Sequence, residues 1–170
     1  MCVLPSDKLR KQCQPMVEED QGRPWLKRFQ RCGIEPSGVS AHGPADRANY
    51  LAAHAEVDII LDTFPYPGGT TTCEGLWMGV PTLTLAGDSL LARQGASLLT
   101  AAGLPEWVAN SKEEYVAKAI ALASDQPRLA ALRAVLRRQV LASALFDAPR
   151  FAKNFEDALW GMWQRYQTQK

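Results

Sequence analysis

No run of about 18 uninterrupted apolar residues occurs in this sequence, so nothing in it reads as a membrane-spanning helix. The stretch from Met1 to Asp20 also lacks the apolar segment of a secretory signal. Cysteine is scarce and scattered. Cys2, Cys13, Cys32 and Cys73 form no CxxC pair, and with only two histidines they match no metal-ligand spacing. Isolated thiols suit a reducing compartment, so the cytoplasm is the expected location. An excess of one charge is missing too, the formal net charge being +1. No partner held by bulk electrostatics, neither nucleic acid nor an anionic membrane, is expected. Neither a Walker loop nor the GxGxxG dinucleotide fingerprint is present. Asp58 and Asp62 flank a strand instead of forming a DxD metal signature, so no metal is expected. Ser89 and Ser97 lack the histidine and acid that nucleophilic hydrolysis needs.

What is there is the composition of an ordinary globular protein: 170 residues, 46% apolar and 22% charged, enough to bury a core in one domain or slightly more. Residues 1–24, broken by Pro5, Pro15, Gly22 and Pro24, carry no sustained period. They read as an irregular N-terminal segment, with a short helix near 7–13 as an option. The domain proper is expected over 25–170. Trp25, Leu26, Phe29 and Cys32 recur at helical spacing and predict a helix over 24–31. Residues 39–41 read as a short strand, and Asp46 as the N-cap of a helix over 47–55. Residues 58–61 read as a buried parallel strand. A helix over 71–78, a turn at Gly79, a strand over 82–85 and a Ser89-capped helix over 90–102 continue the alternation. The economical architecture is α/β, a Rossmann-like parallel sheet with helical crossovers, followed by C-terminal helices over about 111–170.

In that last third, Ser111 opens a helix through a capping-box pattern. A second helix from Pro127 aligns Leu129, Leu132, Leu136 and Val140 on one face. A third from Pro149 carries Phe151, Phe155, Leu159 and Met162 or Trp163 at core spacing. The basic run Arg133, Arg137, Arg138 reads as a solvated face.

The most informative stretch is DTFPYPGGTTTCEGLWMGVPTLTL, residues 62–85. In a parallel α/β sheet, ligands bind beyond the carboxyl ends of strands, where loops lead into helix N-termini. Gly68 and Gly69 allow close backbone approach, and the helix that follows offers unpaired N–H groups. Thr70, Thr71 and Thr72 add hydroxyl donors, together forming a phosphate cradle without a lysine. The plainer alternative is that one threonine is an N-cap and the glycines a turn. Glu74, one turn inside, is either a ribose partner or a helix-dipole complement. Asp62 is expected to organise the loop by accepting backbone hydrogen bonds.

The segments LDTFPY, GGTTT, EGLWMGVP and SLLARQGASLL, joined in this order, resemble the donor-site region of the O-linked N-acetylglucosamine transferase family, which includes the SPINDLY-like proteins. The resemblance runs from about Trp25 to Tyr166. It implies the C-terminal, donor-binding half of a GT-B glycosyltransferase, a fold with two facing Rossmann-like halves, usually preceded by tetratricopeptide repeats. It also implies inverting, metal-independent transfer of N-acetylglucosamine from its uridine diphosphate conjugate to Ser or Thr of a protein acceptor, with no cofactor. By this resemblance Thr70 and Thr71 contact the donor diphosphate, with Thr72 beside them. Gly69 stands where some members have a histidine and keeps only its backbone N–H. Glu74 holds the ribose, Ala45 and Arg47 line the uracil, and Tyr50 offers a ring to stack on the base. His54, a turn further on, is expected to be a surface or packing histidine.

The family's catalytic base has no counterpart here and belongs to an N-terminal half outside this chain. Residues 1–24 show nothing like the segment that carries the family's phosphate-binding lysine and glutamine. The chain therefore reads as a truncated member with little or no activity by itself. Two other readings stand beside this one. One is a non-catalytic α/β module whose Trp160, Trp163 and Tyr166 bind a partner protein, although such aromatics are more often core. The other is a related transferase that moves another hexose to asparagine.

Overall fold

The computed structural model describes residues 2–4, 11–13 and 24–168. Strands β1 (Cys2–Leu4) and β2 (Lys11–Cys13) lead to helix α1 (Pro24–Arg31), strand β3 (Val39–Ala41) and helix α2 (Arg47–Ala52). Then come β4 (Ile59–Leu61), α3 (Thr70–Trp77), β5 (Thr82–Leu85), α4 (Gln94–Ala101) and β6 (Val108–Ala109). Three helices close the chain: α5 (Lys112–Ser124), α6 (Gln126–Leu141) and α7 (Ala148–Thr168). Segments expected to be helical at 53–55 and 90–93 are tight 3-10 turns, at Ala53–Glu56 and Leu91–Arg93.

The strands form one sheet in the order β3-β2-β1-β4-β5-β6. Its β4, β5 and β6 run parallel, with Ile60 opposite Thr82 and Thr84 opposite Val108. Helices α3 and α4 are the crossovers between them, as the alternating pattern predicts. The sheet differs from a uniformly parallel one at β1, which is antiparallel to both β2 and β4. A parallel pairing needs a crossover of a dozen or more residues, and the connection from β1 to β2 is too short for one. These two strands also correct the reading of residues 1–24 as irregular. Residues 11–13, within the optional helix, are strand, and the rest of that option lies outside the described residues.

Helix α3 can lie close on the sheet because Gly75 faces Ile60, where a β-carbon would collide with the isoleucine Cδ1. It ends at Gly79, whose φ of 77° suits glycine. The main core gathers Ile59 of β4, Leu76 of α3, Leu83 of β5, Leu99 of α4, Trp107, Tyr115 of α5 and Leu129, Leu136 and Val140 of α6. The stripe on α6 is thus buried, with Leu132 partly so. Each fully buried aliphatic side chain contributes about 2 kcal/mol.

Two expectations for the C-terminal helices fail. Arg133 and Arg137 are not simply solvated: Arg133 pairs with Asp58 at the edge of β4, and the Arg137 guanidinium lies 5.3 Å from the Trp77 ring centroid. These contacts tie α6 to the sheet and to α3. In α7 the error runs the other way. Its apolar side chains recur at helical spacing, yet Phe151, Phe155, Leu159, Trp160, Met162 and Trp163 are all exposed. None of them is core.

Candidate functional site

The chain leaves β4 at Asp62, and the loop that follows is built on this one carboxylate. Asp62 Oδ1 accepts hydrogen bonds from the backbone N–H of Gly68 at 2.7 Å and of Thr63 at 3.1 Å. Its Oδ2 accepts the Thr84 hydroxyl proton at 2.8 Å, and its carbonyl accepts from the Tyr115 hydroxyl at 2.8 Å. Asp62 is therefore the loop organiser that its position suggested. Burial raises its carboxyl above the ordinary aspartate value, while the Gly68 N–H, the Thr84 hydroxyl and the Thr63 N–H pull it back down. Thr84, Tyr115 and Gly95 complete this support and were not legible as a group. Gly95 is required by space: a β-carbon there would strike Thr84 Oγ1 and come within 2.8 Å of Asp62 Oδ2.

Held this way, the loop delivers Gly69 to the N-cap of α3 with no side-chain hydrogen bond to the first turn. No threonine caps the helix, which removes the plainer reading of the triplet. The first-turn N–H groups are left for another acceptor. Thr70 and Thr71 are exposed at this entry, whereas Thr72 is only 2% exposed and turns into the protein. Successive helical residues point about 100° apart, so three in a row cannot all face one ligand. Thr72 is thus turned into the protein, unlike Thr70 and Thr71. The hydroxyls of Thr71 and Thr72 converge on Gly68, each 2.6 Å from where a β-carbon would stand.

One turn into α3, Glu74 meets the helix that precedes β4. Its Oε1 accepts from Arg47 Nη1 at 2.6 Å, joining α3 to the first residue of α2. Arg47 itself is 73% exposed, and the same end of α2 is capped by Asp46, whose carboxylate accepts the Asn49 N–H at 2.9 Å. Tyr50, on the next turn, is half-buried with its hydroxyl inside. Burial first, and the adjacent Glu74 carboxylate second, push its phenol up to about 12. Burial and the same carboxylate raise the Cys73 thiol. The Tyr50 ring meets the His54 ring edge-on at 5.0 Å. His54 is buried, with Nδ1 3.0 Å from the Tyr50 carbonyl, and is a packing histidine. Ala45 is exposed just ahead of α2.

The structure thus brings Arg47, Tyr50 and Glu74 into one cluster, a turn away from Gly69, Thr70 and Thr71. The two carboxylates nearest the loop are engaged, Asp62 by its own backbone and Thr84, Glu74 by Arg47. Among the described residues no group of three or more His, Cys, Asp or Glu is arranged to hold a metal ion, and no helix is long and apolar enough to cross a membrane. What the entry offers a ligand is amide hydrogens and hydroxyls, chemistry suited to an anion.

Comparison with known proteins assigns the chain to a family. The sequence profile of glycosyl transferase family 41 matches residues 19–155. The chain is 39% identical to the SPINDLY protein of Petunia hybrida over 168 residues, which is 98% of this chain and 18% of that protein. It is 35% identical to the UDP-N-acetylglucosamine–peptide N-acetylglucosaminyltransferase of Caenorhabditis elegans over 136 residues, 80% of this chain and 12% of that one. A solved lysine-to-methionine mutant of the Thermobaculum terrenum O-GlcNAc transferase superimposes with a TM-score of 0.84 at 34% identity, covering 96% of this chain and 32% of that structure. The similarity therefore reaches beyond 25–166, into the N-terminal segment. The chain spans under a third of the length of each of these relatives.

Proposed function

Since the chain belongs to glycosyl transferase family 41, with the α/β fold of part of a GT-B glycosyltransferase, we propose that it is the donor-binding part of a protein O-GlcNAc transferase. The diphosphate of UDP-N-acetylglucosamine lies at the entry to α3, against the first-turn N–H groups and the Thr70 and Thr71 hydroxyls. Glu74 takes the ribose hydroxyls, and Ala45, Arg47 and Tyr50 border the base. The full-length parent transfers the sugar to Ser or Thr hydroxyls of a protein acceptor with inversion, its base supplied from outside this chain.

Such a transfer develops charge on the departing diphosphate. Fixed donors aimed at that charge cost no reorganisation when the bond breaks. The helix end and the two hydroxyls supply such donors without a cation, so the reaction is proposed to be metal-independent. No acid–base residue positioned for the acceptor stands at the α3 entry among the described residues, so the isolated chain is proposed to bind donor and not to turn it over.

The single observation that carries this reading is the geometry at Gly69. The N-cap of α3 makes no side-chain hydrogen bond, the two threonines beside it are exposed, and a carboxylate sits one turn in. Titrating the isotope-labelled chain with UDP tests it. Amide shifts concentrated at 68–74 and around Arg47 and Tyr50 are expected. Saturating UDP without any shift there would remove the reading.

A further inference from the structure

The wall of the α3 entry opposite Thr70 and Thr71 comes from a different helix. A β-carbon built on Gly69 would meet the Gln94 side chain with Nε2 at 2.7 Å, Cδ at 3.3 Å and Oε1 at 3.5 Å. The whole carboxamide therefore lies across the N-cap glycine, nitrogen end nearest. Gln94 is the first residue of α4, and its neighbour Gly95 is packed on Asp62 and Thr84, so the backbone behind it is fixed to the same loop. Its side chain is exposed and has no hydrogen-bond partner among the described residues. Gln94 also lines an open depression of about 920 Å³ with Leu90, Leu91, Arg93 and Ser97.

An exposed glutamine with no partner normally keeps its conformational freedom, because confining it costs entropy. Here the amide is laid against the N-cap glycine, Gly69, beside first-turn amides that also lack a side-chain acceptor. We infer that Gln94 is a further donor-binding residue: its Nε2–H donates to the diphosphate held at the α3 entry, and closes that cradle from the α4 side. This rests on the donor-site reading above.

The role separates from mere packing through paired substitutions. Gln94→Met keeps length and bulk over Gly69 but removes the donor. Gln94→Glu keeps the shape and sets a carboxylate against the anion. Gly69→Ala adds a methyl where the amide rests and displaces it without touching Gln94. Calorimetric titration with UDP is expected to show affinity lowered about tenfold in Gln94→Met and Gly69→Ala, the scale of one hydrogen bond to a charged group. Gln94→Glu should lose more, and all three should keep the wild-type melting temperature. If the wild type binds UDP and Gln94→Met binds it equally well, the inference falls and the donor-site reading survives. If Gln94→Met and Gln94→Glu weaken UDP equally while both lower the melting temperature, Gln94 is a packing residue and the inference falls again. If the wild type shows no UDP binding, both fall together.

Discussion

At the entry to α3, polar groups are turned inward to fix a loop, and a few donors are left facing out. Along α7 the arrangement is reversed: apolar side chains face out, and Phe151, Phe155, Trp160 and Trp163 are each about half exposed or more. The two regions also differ in how they are tied down. Residues 62–69 are held by contacts from β5, α4 and α5 converging on Asp62. Among the described residues, the ring contacts seen along helix α7 lie within it, such as Phe151 on Phe155 at 5.9 Å. The difference is one between a part whose conformation the described residues determine and a part whose environment they do not supply. Substitution tests it, and the effects should descend from the first region to the second.

The largest effect is expected at Gly95. Gly95→Val drives branched carbons into Thr84 Oγ1 and Asp62 Oδ2, where nothing can yield without opening the loop. Overpacking of this kind costs about 3 kcal/mol. Urea denaturation should show that loss, and UDP binding should vanish with it. A stable variant that retained binding would mean the Asp62 network does not shape the entry.

Asp62→Ala comes next, at about 2 kcal/mol, because it leaves the buried Thr84 hydroxyl and the partly buried N–H groups of Thr63 and Gly68 without their acceptor. The pH dependence carries a sign. Burial raises this carboxyl, so the folded state holds the proton more tightly than the unfolded chain, whose value is 3.8. The group's contribution is complete below 3.8 and is lost as pH rises through the folded value. The stability of the wild type relative to Asp62→Asn should therefore fall as pH rises from 3.8, and level off once the folded carboxyl has ionised. A difference that grew with pH in that window would reverse the assignment and make the hydrogen bonds, not burial, dominant.

Glu74→Gln should be milder for stability and selective for function. Its pair with Arg47 is worth under about 1 kcal/mol, since the arginine is 73% exposed. If Glu74 holds the ribose, UDP affinity should drop about tenfold. The Tyr50 phenol, at about 12 in the wild type, should fall toward 10 when the carboxylate charge is removed, with burial keeping it above that value. Ultraviolet titration of the phenols reads this directly, and an unmoved Tyr50 would place Glu74 outside its neighbourhood.

The same contrast governs what could be read from the chain of residues. The β4–loop–α3 unit was legible because its signals are local: β-branched residues before Asp62, two glycines, then a helix pattern. Asp62 as loop organiser and the stripe on α6 follow from position and period alone. That Thr72 lies inside while Thr70 and Thr71 lie outside is not visible in a run of three hydroxyls, because the helix that separates their directions comes only with the fold. The strands β1, β2 and β6 are two or three residues long, and each has a partner more than twenty residues away: β4, β3 and β5 respectively. Gln94 was invisible as a neighbour of Gly69 for a similar reason, since the contact is made by folding α4 back onto the loop. For α7, period gave the apolar face correctly. Period says nothing about what lies against such a face, and a neighbour within the chain was assumed.

The smallest effect, and the one that probes the second region, is expected for Trp163→Ala. The indole is 52% exposed, so truncation removes contact that is already shared with water. The stability change should stay within about 0.5 kcal/mol. Leu136→Ala in α6, at 0% exposure, is the internal standard and should cost about 3 kcal/mol. Denaturation at two protein concentrations a hundredfold apart completes the test. A free α7 gives a Trp163→Ala cost that is small and identical at both. A cost approaching that of Leu136→Ala, and growing with concentration, would mean that a second copy buries the indole in solution, and the contrast between the two regions would then hold for the single chain only.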